Sequence, residues 1–362
     1  MGKKLFSIWF ILVLAFTVLG SSSVFAKETV WKMTSTWSSG ITLIDSHKMF
    51  ADLVNVLCKG KLRIEFFPGG TLMPAFEVFD ACRNNTVQAA GDWCGYWAGK
   101  DIVFSLLGAC PMGLTQWDQL IWVKHFGGDK LFDEAFGKFD MVYLITTFSP
   151  SESGLRSNKP IKSLADLKGK KIRMSGKSQG YVLKELGASQ VLLAGSEVYQ
   201  ALQKGTIDAA EFSGPYIDFK MGLGEVTKYW LAPGWHQPGS VGGVMINKKA
   251  WDALDSDTQE KLKIAAEAVT LKYSAQMCYE DLEGTRELLK KGVQIYKYSE
   301  AELDKIEKIA NKYLEQVAKE DPLCKKVIES WVEYRKSYAQ VRNTKGRFGF
   351  GFNPKEYPDL GD

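Results

Sequence analysis

Glu211 ends the short run Ile207-Asp-Ala-Ala-Glu211 and is followed by Phe212-Ser-Gly214-Pro215. A long aromatic, glycine- and proline-rich stretch comes next, Tyr229-Trp-Leu-Ala-Pro-Gly-Trp-His-Gln-Pro-Gly239. A carboxylate between an apolar run and such a loop matches no standard catalytic motif. It reads as one wall of a ligand pocket. A competing chemistry lies at Gly176-Lys-Ser178-Gln-Gly180, which fits the G-x-S-x-G nucleophile elbow between a strand and a helix. A triad there needs a downstream acid and histidine, and His236 is the only histidine after Ser178. The bland reading of the run is a turn whose backbone N–H groups approach an anion. Gly176-Lys-Ser178 also ends like a P-loop, but Lys171 stands where the first glycine should be, so the phosphate cradle is incomplete. His47, His125 and His236 are scattered and form no H-E-x-x-H pair.

The N-terminus bears on compartment. Lys3 and Lys4 precede an apolar run over 5–19, too short for a bilayer span of roughly 20 residues. Val24-Phe-Ala26 supplies small residues at −3 and −1 of a cleavage site, so residues 1–26 read as a signal peptide and the mature chain starts at Lys27. The formal charge of +4 falls to +2 without Lys3 and Lys4, and no basic stripe stands out, which excludes a nucleic-acid binder. Cys58, Cys82, Cys94, Cys110, Cys278 and Cys324 show no CxxC and no zinc spacing. In an oxidising compartment a pair of them can bridge, and sequence assigns no pairing.

The elements that must position these groups alternate. Val30–Ser35 reads as a strand, 43–58 as a helix, 62–67 as a strand stopped by Pro68-Gly-Gly70, 76–84 as a helix and 141–148 as a strand. Residues 118–139 are helical with a break at Gly127-Gly128. The rhythm restarts at Ile161: a strand through Arg173, helices over 181–186 and 197–204 closed by Gly187 and Gly205, and a strand over 206–212. Strand 241–247 returns to the first half, and from Ala250 the chain is mostly helical, with an amphipathic face over 303–317. The tail from Thr344 is not helical in pattern. Such alternation argues for sheets covered by helices, an α/β protein.

Several runs resemble the substrate-binding subunits of TRAP transporters, the DctP-like family. They are Phe66-Phe-Pro-Gly-Gly-Thr-Leu72, Trp93-Cys-Gly-Tyr96-Trp-Ala-Gly-Lys-Asp101, 163–174, 201–211 and 244–254. The resemblance spans nearly all of 30–340. Glu211-Phe-Ser-Gly-Pro-Tyr216 together with 229–239 is similar to the branch that binds 2-oxo or 2-hydroxy monocarboxylates with a metal ion. It implies a two-lobed periplasmic binding protein with mixed sheets flanked by helices and a long helical C-terminal region. The expected division is 27–148 plus 241–270 for lobe 1 and 149–240 plus 271–320 for lobe 2, with 321–362 as a dimerisation segment. The partners implied are a small organic acid, the TRAP permease in the membrane and a second copy of the chain; catalysis is not implied. A secreted serine hydrolase using Ser178, or a ligand sensor of the same fold, is the alternative.

The resemblance also implies site roles. Arg173 lies in the strand that offers an arginine to the substrate carboxylate, where a guanidinium grips two oxygens at once. Glu152, Glu211, the carbonyl of Phe212 and Gln237 fall at the metal-ligand positions, with Gln and Glu exchanged between 152 and 237 relative to the family pattern. All offer hard oxygen, as calcium or sodium wants. Two glutamates and a substrate carboxylate sum to −3, which Arg173 reduces to −2. A divalent ion neutralises that, so Ca²⁺ is favoured and Na⁺ remains possible. Trp93 and Tyr96 either cap the apolar side of the ligand or pack a hinge. The run Val327-Ile-Glu-Ser-Trp-Val-Glu-Tyr334 offers an apolar face to a partner subunit.

Overall fold

The computed structural model describes residues 28–345. The signal-peptide assignment, and the part of the dimerisation segment beyond Lys345, lie outside the described residues. Two mixed sheets organise the chain. The first has the order β2-β1-β3-β10-β4, formed by β1 (Thr29–Ser35), β2 (Leu62–Phe66), β3 (Ala89–Trp93), β4 (Met141–Ser149) and β10 (Ser240–Asn247). The second has the order β11-β9-β5-β8-β6-β7, formed by β5 (Leu155–Ser157), β6 (Lys171–Arg173), β7 (Ser189–Val191), β8 (Ala209–Ala210), β9 (Tyr229–Ala232) and β11 (Gln294–Lys297).

The first sheet follows its sequence closely. In β1, Trp31 and Met33 point inward at the two-residue period, against the helix α1 (Ile44–Leu57) that buries Phe50 and Val54. β3 is central and buried at every position, and its first three residues, Ala89, Ala90 and Gly91, are small; a Cβ on Gly91 would meet the His47 ring at 2.1 Å. β10 runs antiparallel between β3 and β4 and brings the chain back from the second sheet. The break at Gly127-Gly128 is real: one helix ends at His125 and the next starts at Gly128, with Gly127 left-handed at φ 79°.

The second sheet departs from its sequence in strand length. The strand expected over 206–212 shrinks to β8, because beyond Ala210 the chain bends to present Glu211. Helix α2 (Lys177–Glu185) begins four residues before the expected Tyr181, since Gly176 supplies the extended residue from which it starts. Helix α3 (Gly195–Lys204) ends at left-handed Gly205 as expected, and α4 (Pro215–Lys220) starts on Pro215, whose missing N–H costs nothing there. The edge strands β7 and β11 carry no strong alternation and are not legible beforehand.

Helix α5 (Ser256–Lys290) runs unbroken past residue 270. Val269 and Tyr273 pack in the core shared with α1, while Gly284 lies against the backbone of Tyr216 in α4, where a Cβ would meet Tyr216 Cα at 2.2 Å. Helix α6 (Glu300–Glu320) opens on a capping box between Ser299 and Glu302, whose Oε1 also accepts from Leu164 N at 2.8 Å. Helix α7 (Pro322–Lys345) buries Val327, Trp331 and Tyr334 against its own chain. The apolar face of 327–334 is therefore covered from within, and Val332, 42 % exposed, is what it leaves outward. Thr344 and Lys345, expected outside any helix, complete the last turn of α7. All six cysteines are free. Among the described residues no helix is long and apolar enough to cross a membrane.

Candidate functional site

Strands β6 and β8 lie side by side and parallel, with Arg173 opposite Ala210. Their carboxyl ends therefore bring Arg173 and Glu211 together at the edge where open α/β sheets receive ligands. Arg173 Nη1 donates to Glu211 Oε1 at 2.9 Å and to the Glu211 carbonyl at 2.9 Å. Nε and Nη2 both reach the carbonyl of Leu193, at 3.3 and 3.1 Å. The Phe212 ring lies 5.1 Å from the guanidinium carbon. Both charged side chains are fully buried. Much of the two-pronged grip expected of Arg173 is thus committed to the protein. The Tyr96 hydroxyl, from the first sheet's side, interacts electrostatically with the guanidinium.

The antiparallel pairing of β5 with β9 sets Leu155 opposite Leu231 and so aligns the chain before β5 with the loop after β9. Glu152 N donates to the Gln237 carbonyl at 3.0 Å, and Gly234 comes so close that a Cβ would sit 2.3 Å from the Glu152 carbonyl. Glu152 Oε2 lies 2.9 Å from His236 Nε2. Gln237 Nε2 donates to Ser175 Oγ at 3.2 Å, leaving its Oε1 as the free arm of the amide. Ser175 N donates to Glu211 Oε1 at 2.5 Å, but Glu211 Oε2, buried, has no partner. Ligating atoms of Glu152, Glu211 and His236 all lie within 4.8 Å of one another.

An orphaned carboxylate oxygen beside a second buried carboxylate is what a cation site looks like without its ion. Of the expected donors the two carboxylates, Glu152 and Glu211, are brought together, with His236 as the third possible ligand beside them. Burial, and next the charge of Glu211, hold the Glu152 carboxyl well above its ordinary 4.5. Burial opposes ionisation of Glu211 too, yet Arg173 and the Ser175 N–H keep that carboxyl below its usual range. Burial lowers His236 to about 4, so at neutral pH its ring is uncharged and shares one proton with Glu152 across the 2.9 Å contact.

These shifts fix a pH dependence. Glu152 binds its proton more tightly folded than unfolded, so without an ion its contribution to stability is present below the ordinary carboxyl pKa and is lost as pH rises. Glu211 has the opposite sign, but its contribution changes only below 4.5, where unfolded glutamate titrates. Above pH 5 Glu152 is the site carboxyl whose contribution changes; His47, His236, Asp92 and Asp281 also alter the absolute stability there, but alike with and without the ion, so the difference made by Ca²⁺ reads Glu152. The gain in melting temperature on adding Ca²⁺ to metal-free protein is therefore expected to widen from pH 5 to pH 8. A gain that stays flat across that range would show that no proton is displaced from Glu152.

The structure brings Arg173, Glu152, Glu211, Phe212, Gln237 and Tyr96 together. Trp93 stands behind them: its ring packs over Gly95 and Gly108 and meets Tyr96 edge-on at 5.1 Å. His236 and Ser175 join the cluster unforeseen. His236 had a visible signal, a histidine beside Gln237 in a loop with little else to bind it, whereas Ser175 had none. Trp37, whose indole N–H is 3.5 Å from the Tyr96 hydroxyl, extends the aromatic wall. The serine elbow fails on geometry. Ser178 is buried inside α2 and donates to the Ser105 carbonyl at 3.0 Å, while His236 is engaged with Glu152.

The model of bacterial extracellular solute-binding protein family 7 matches residues 33–321. A monocarboxylate 2-oxoacid-binding periplasmic protein of Nostoc is 31 % identical over 306 residues, covering 84 % of each chain. A TRAP solute-binding protein from Colwellia psychrerythraea, with bound calcium and pyruvate, superposes with a TM-score of 0.84 at 27 % identity, covering 89 % of this chain and 98 % of its own. One from Pseudoalteromonas atlantica, with bound sodium and pyruvate, gives 0.83 at 27 %, covering 88 % and 97 %. One from Bordetella bronchiseptica, a mixed-occupancy dimer with calcium and picolinate in one site, gives 0.84 at 28 %, covering 88 % and 95 %. The chain belongs to the DctP family of extracytoplasmic solute-binding proteins, and is a transport component of the TRAP type rather than an enzyme.

Proposed function

We propose that this protein captures a small 2-oxo or 2-hydroxy monocarboxylate together with a divalent cation, Ca²⁺ in preference to Na⁺, in the periplasm. It then delivers the acid to a TRAP permease. The observation that carries the reading is the buried, partnerless Oε2 of Glu211 facing Glu152 beside Arg173. The ion supplies positive charge to two buried carboxylates and to the acid's chelating oxygens. Arg173 and Tyr96 meet the acid's carboxylate, and Phe212 and Trp37 exclude water. Lobe 1 comprises 27–148 plus 241–270 and lobe 2 comprises 149–240 plus 271–320, closing on the site from either side. Export rests on cleavage after Ala26. The assembly is a homodimer in which the C-terminal segment takes part, a reading supported by the dimeric Bordetella relative.

A thermal-shift screen of 2-oxo and 2-hydroxy acids, with and without Ca²⁺, tests the reading, since a ligand bound only by the folded state raises the melting temperature. Stabilisation by such acids only when Ca²⁺ is present supports it; none by any acid in either condition removes it. The exchange between 152 and 237 gives a sharper expectation. Glu152→Gln leaves one carboxylate at the ion and should shift preference from Ca²⁺ towards Na⁺. Adding Gln237→Glu should recover most of the Ca²⁺ affinity, because the two positions share one charge requirement. Independent, additive losses in a calorimetric double-mutant cycle would show that they do not hold the same ion.

A further inference from the structure

The parallel strands β6 and β8 hold Arg173 and Glu211 at their carboxyl ends, so their amino ends form the opposite pole of the second sheet. Strands β7, β9 and β11 start at that pole too, and antiparallel β5 finishes there, with Ser157 opposite both Ala209 and Tyr229. Helices α2, α3 and α5 each run back to it before the next strand begins. Backbone bonds join the turns into one row. Gly169 N donates to Gly187 O, Ser189 N to Lys170 O and Asp208 N to Lys171 O, each at 2.8 Å. Lys228 N donates to Ser157 O at 3.0 Å, and Gln294 N to Lys228 O at 2.8 Å. Six strands spaced about 4.8 Å apart make this row roughly 24 Å long.

The row is rich in lysine. Segments 157–160, 167–171, 184–188, 203–208, 225–228 and 290–293 hold nine lysines and three acidic residues, which the fold collects from distant parts of the chain. Lys159, Lys168, Lys171, Lys184, Lys204 and Lys228 are exposed, and among the described residues none of them forms an ion pair. Lysines elsewhere do, as Lys48 with Asp52 and Lys326 with Glu134. The pole also lacks an apolar centre. Between 157 and 228 the strongly exposed large apolar side chain is Leu192, which follows β7 at the other end of the sheet. Leu289 and Ile295 are exposed at the β11 edge, four strands from β6. A protein interface centres on apolar and aromatic anchors and keeps charge to its rim. A field of unpaired lysines without such anchors fits a diffuse anionic surface instead.

We propose that this pole rests on an anionic lipid bilayer, on the phospholipid headgroups of the membrane that holds the permease. Each ammonium meets headgroup phosphates as a point charge, and each lysine that reaches the surface contributes about fivefold in affinity. With no apolar anchor at its centre, the contact stays reversible and is screened by salt, over about 10 Å at 0.1 M. The carboxylate site lies at the other end of the strands, so contact with lipid leaves it free. The inference does not depend on which acid or ion that site takes.

Sedimentation with vesicles of equal parts phosphatidylglycerol and phosphatidylcholine tests this, with pure phosphatidylcholine as the neutral surface. Three forms of the chain starting at Lys27 are compared. One is unaltered. The pole variant carries Lys159→Glu, Lys168→Glu, Lys204→Glu and Lys228→Glu. The control variant carries Lys32→Glu, Lys59→Glu, Lys130→Glu and Lys272→Glu, four exposed lysines outside the pole. The two variants have the same net charge. The unaltered chain should sediment with the anionic vesicles at low salt, come off as salt rises and leave the neutral ones alone. The pole variant should bind at least about thirtyfold more weakly than the control. The double variant Lys168→Gln, Lys204→Gln, which adds no repulsion, should lose about tenfold and keeps the test open if the fourfold reversal unfolds. Melting temperatures without vesicles report the fold of each form. Equal losses in the pole and control variants would overturn the proposal, because net charge alone would then explain binding. So would an unaltered chain that ignores anionic vesicles, which would leave the pole to an acidic protein surface. Ca²⁺-dependent stabilisation by pyruvate, read on the same samples, reports the carboxylate site separately: its absence in every form would remove the ligand reading and not this one.

Discussion

Replacing Arg173 by alanine should weaken acid binding strongly while leaving the ion's ligands in place. The loss expected for a buried charge-assisted contact is about 2–5 kcal/mol, at least ~30-fold in affinity. The structure adds a second consequence. Arg173 is the counter-charge of a fully buried Glu211, 2.9 Å away. Removing one partner of such a pair leaves an uncompensated charge and costs roughly 3–5 kcal/mol of stability. Ca²⁺ should restore part of this, because it offers Glu211 a new partner. Arg173→Lys keeps the charge but cannot serve Leu193 O and Glu211 at once with one ammonium, so it should fold better than the alanine variant and still bind the acid weakly. Calorimetry for the acid and thermal unfolding with and without Ca²⁺ separate the two effects. Full acid affinity in the lysine variant would show that guanidinium geometry is not what holds the carboxylate.

Glu211→Gln should have a different signature. The amide is the same size and can still accept from Ser175 N through its oxygen, yet it removes an anionic ligand from the ion and the counter-charge from Arg173. Ca²⁺ binding should fall first, and acid binding with it, since the chelating oxygens of a 2-oxo acid attach through the ion. The contrast with Arg173→Ala is the informative part: one variant loses the acid and keeps Ca²⁺, the other loses both. Acid affinity preserved in Glu211→Gln at saturating Ca²⁺ would detach the acid from the ion.

Much of the candidate site was legible through the family resemblance, because its parts lie in compact runs that the resemblance could place. Glu211-Phe212 and Arg173 sit at the ends of adjacent parallel strands, and each strand ends where its local pattern breaks. Glu152 was harder. The turn Ser151–Gly154 has no periodicity, and its place opposite Gln237 depends on β5 pairing with β9, a contact spanning more than seventy residues. His236 was weighed only as the base of a triad, because the sequence does not show that its ring nitrogen faces Glu152. Tyr96 and Trp93 are close in sequence yet differ in role, as the one reaches towards Arg173 and the other packs over Gly95 and Gly108. The helix face at 327–334 carries the pattern of an interface, but amphipathicity reports that a face is covered, not by which chain.

The central claim is that the acid binds through a metal ion held by the glutamate pair. Titrating pyruvate into metal-free protein, and into the same protein saturated with Ca²⁺, tests it most directly by calorimetry. Propionate, which lacks the 2-oxo oxygen, serves as the control. The account predicts a clear binding isotherm for pyruvate only with Ca²⁺, and little for propionate in either state. Equal affinity for pyruvate with and without the ion would contradict it.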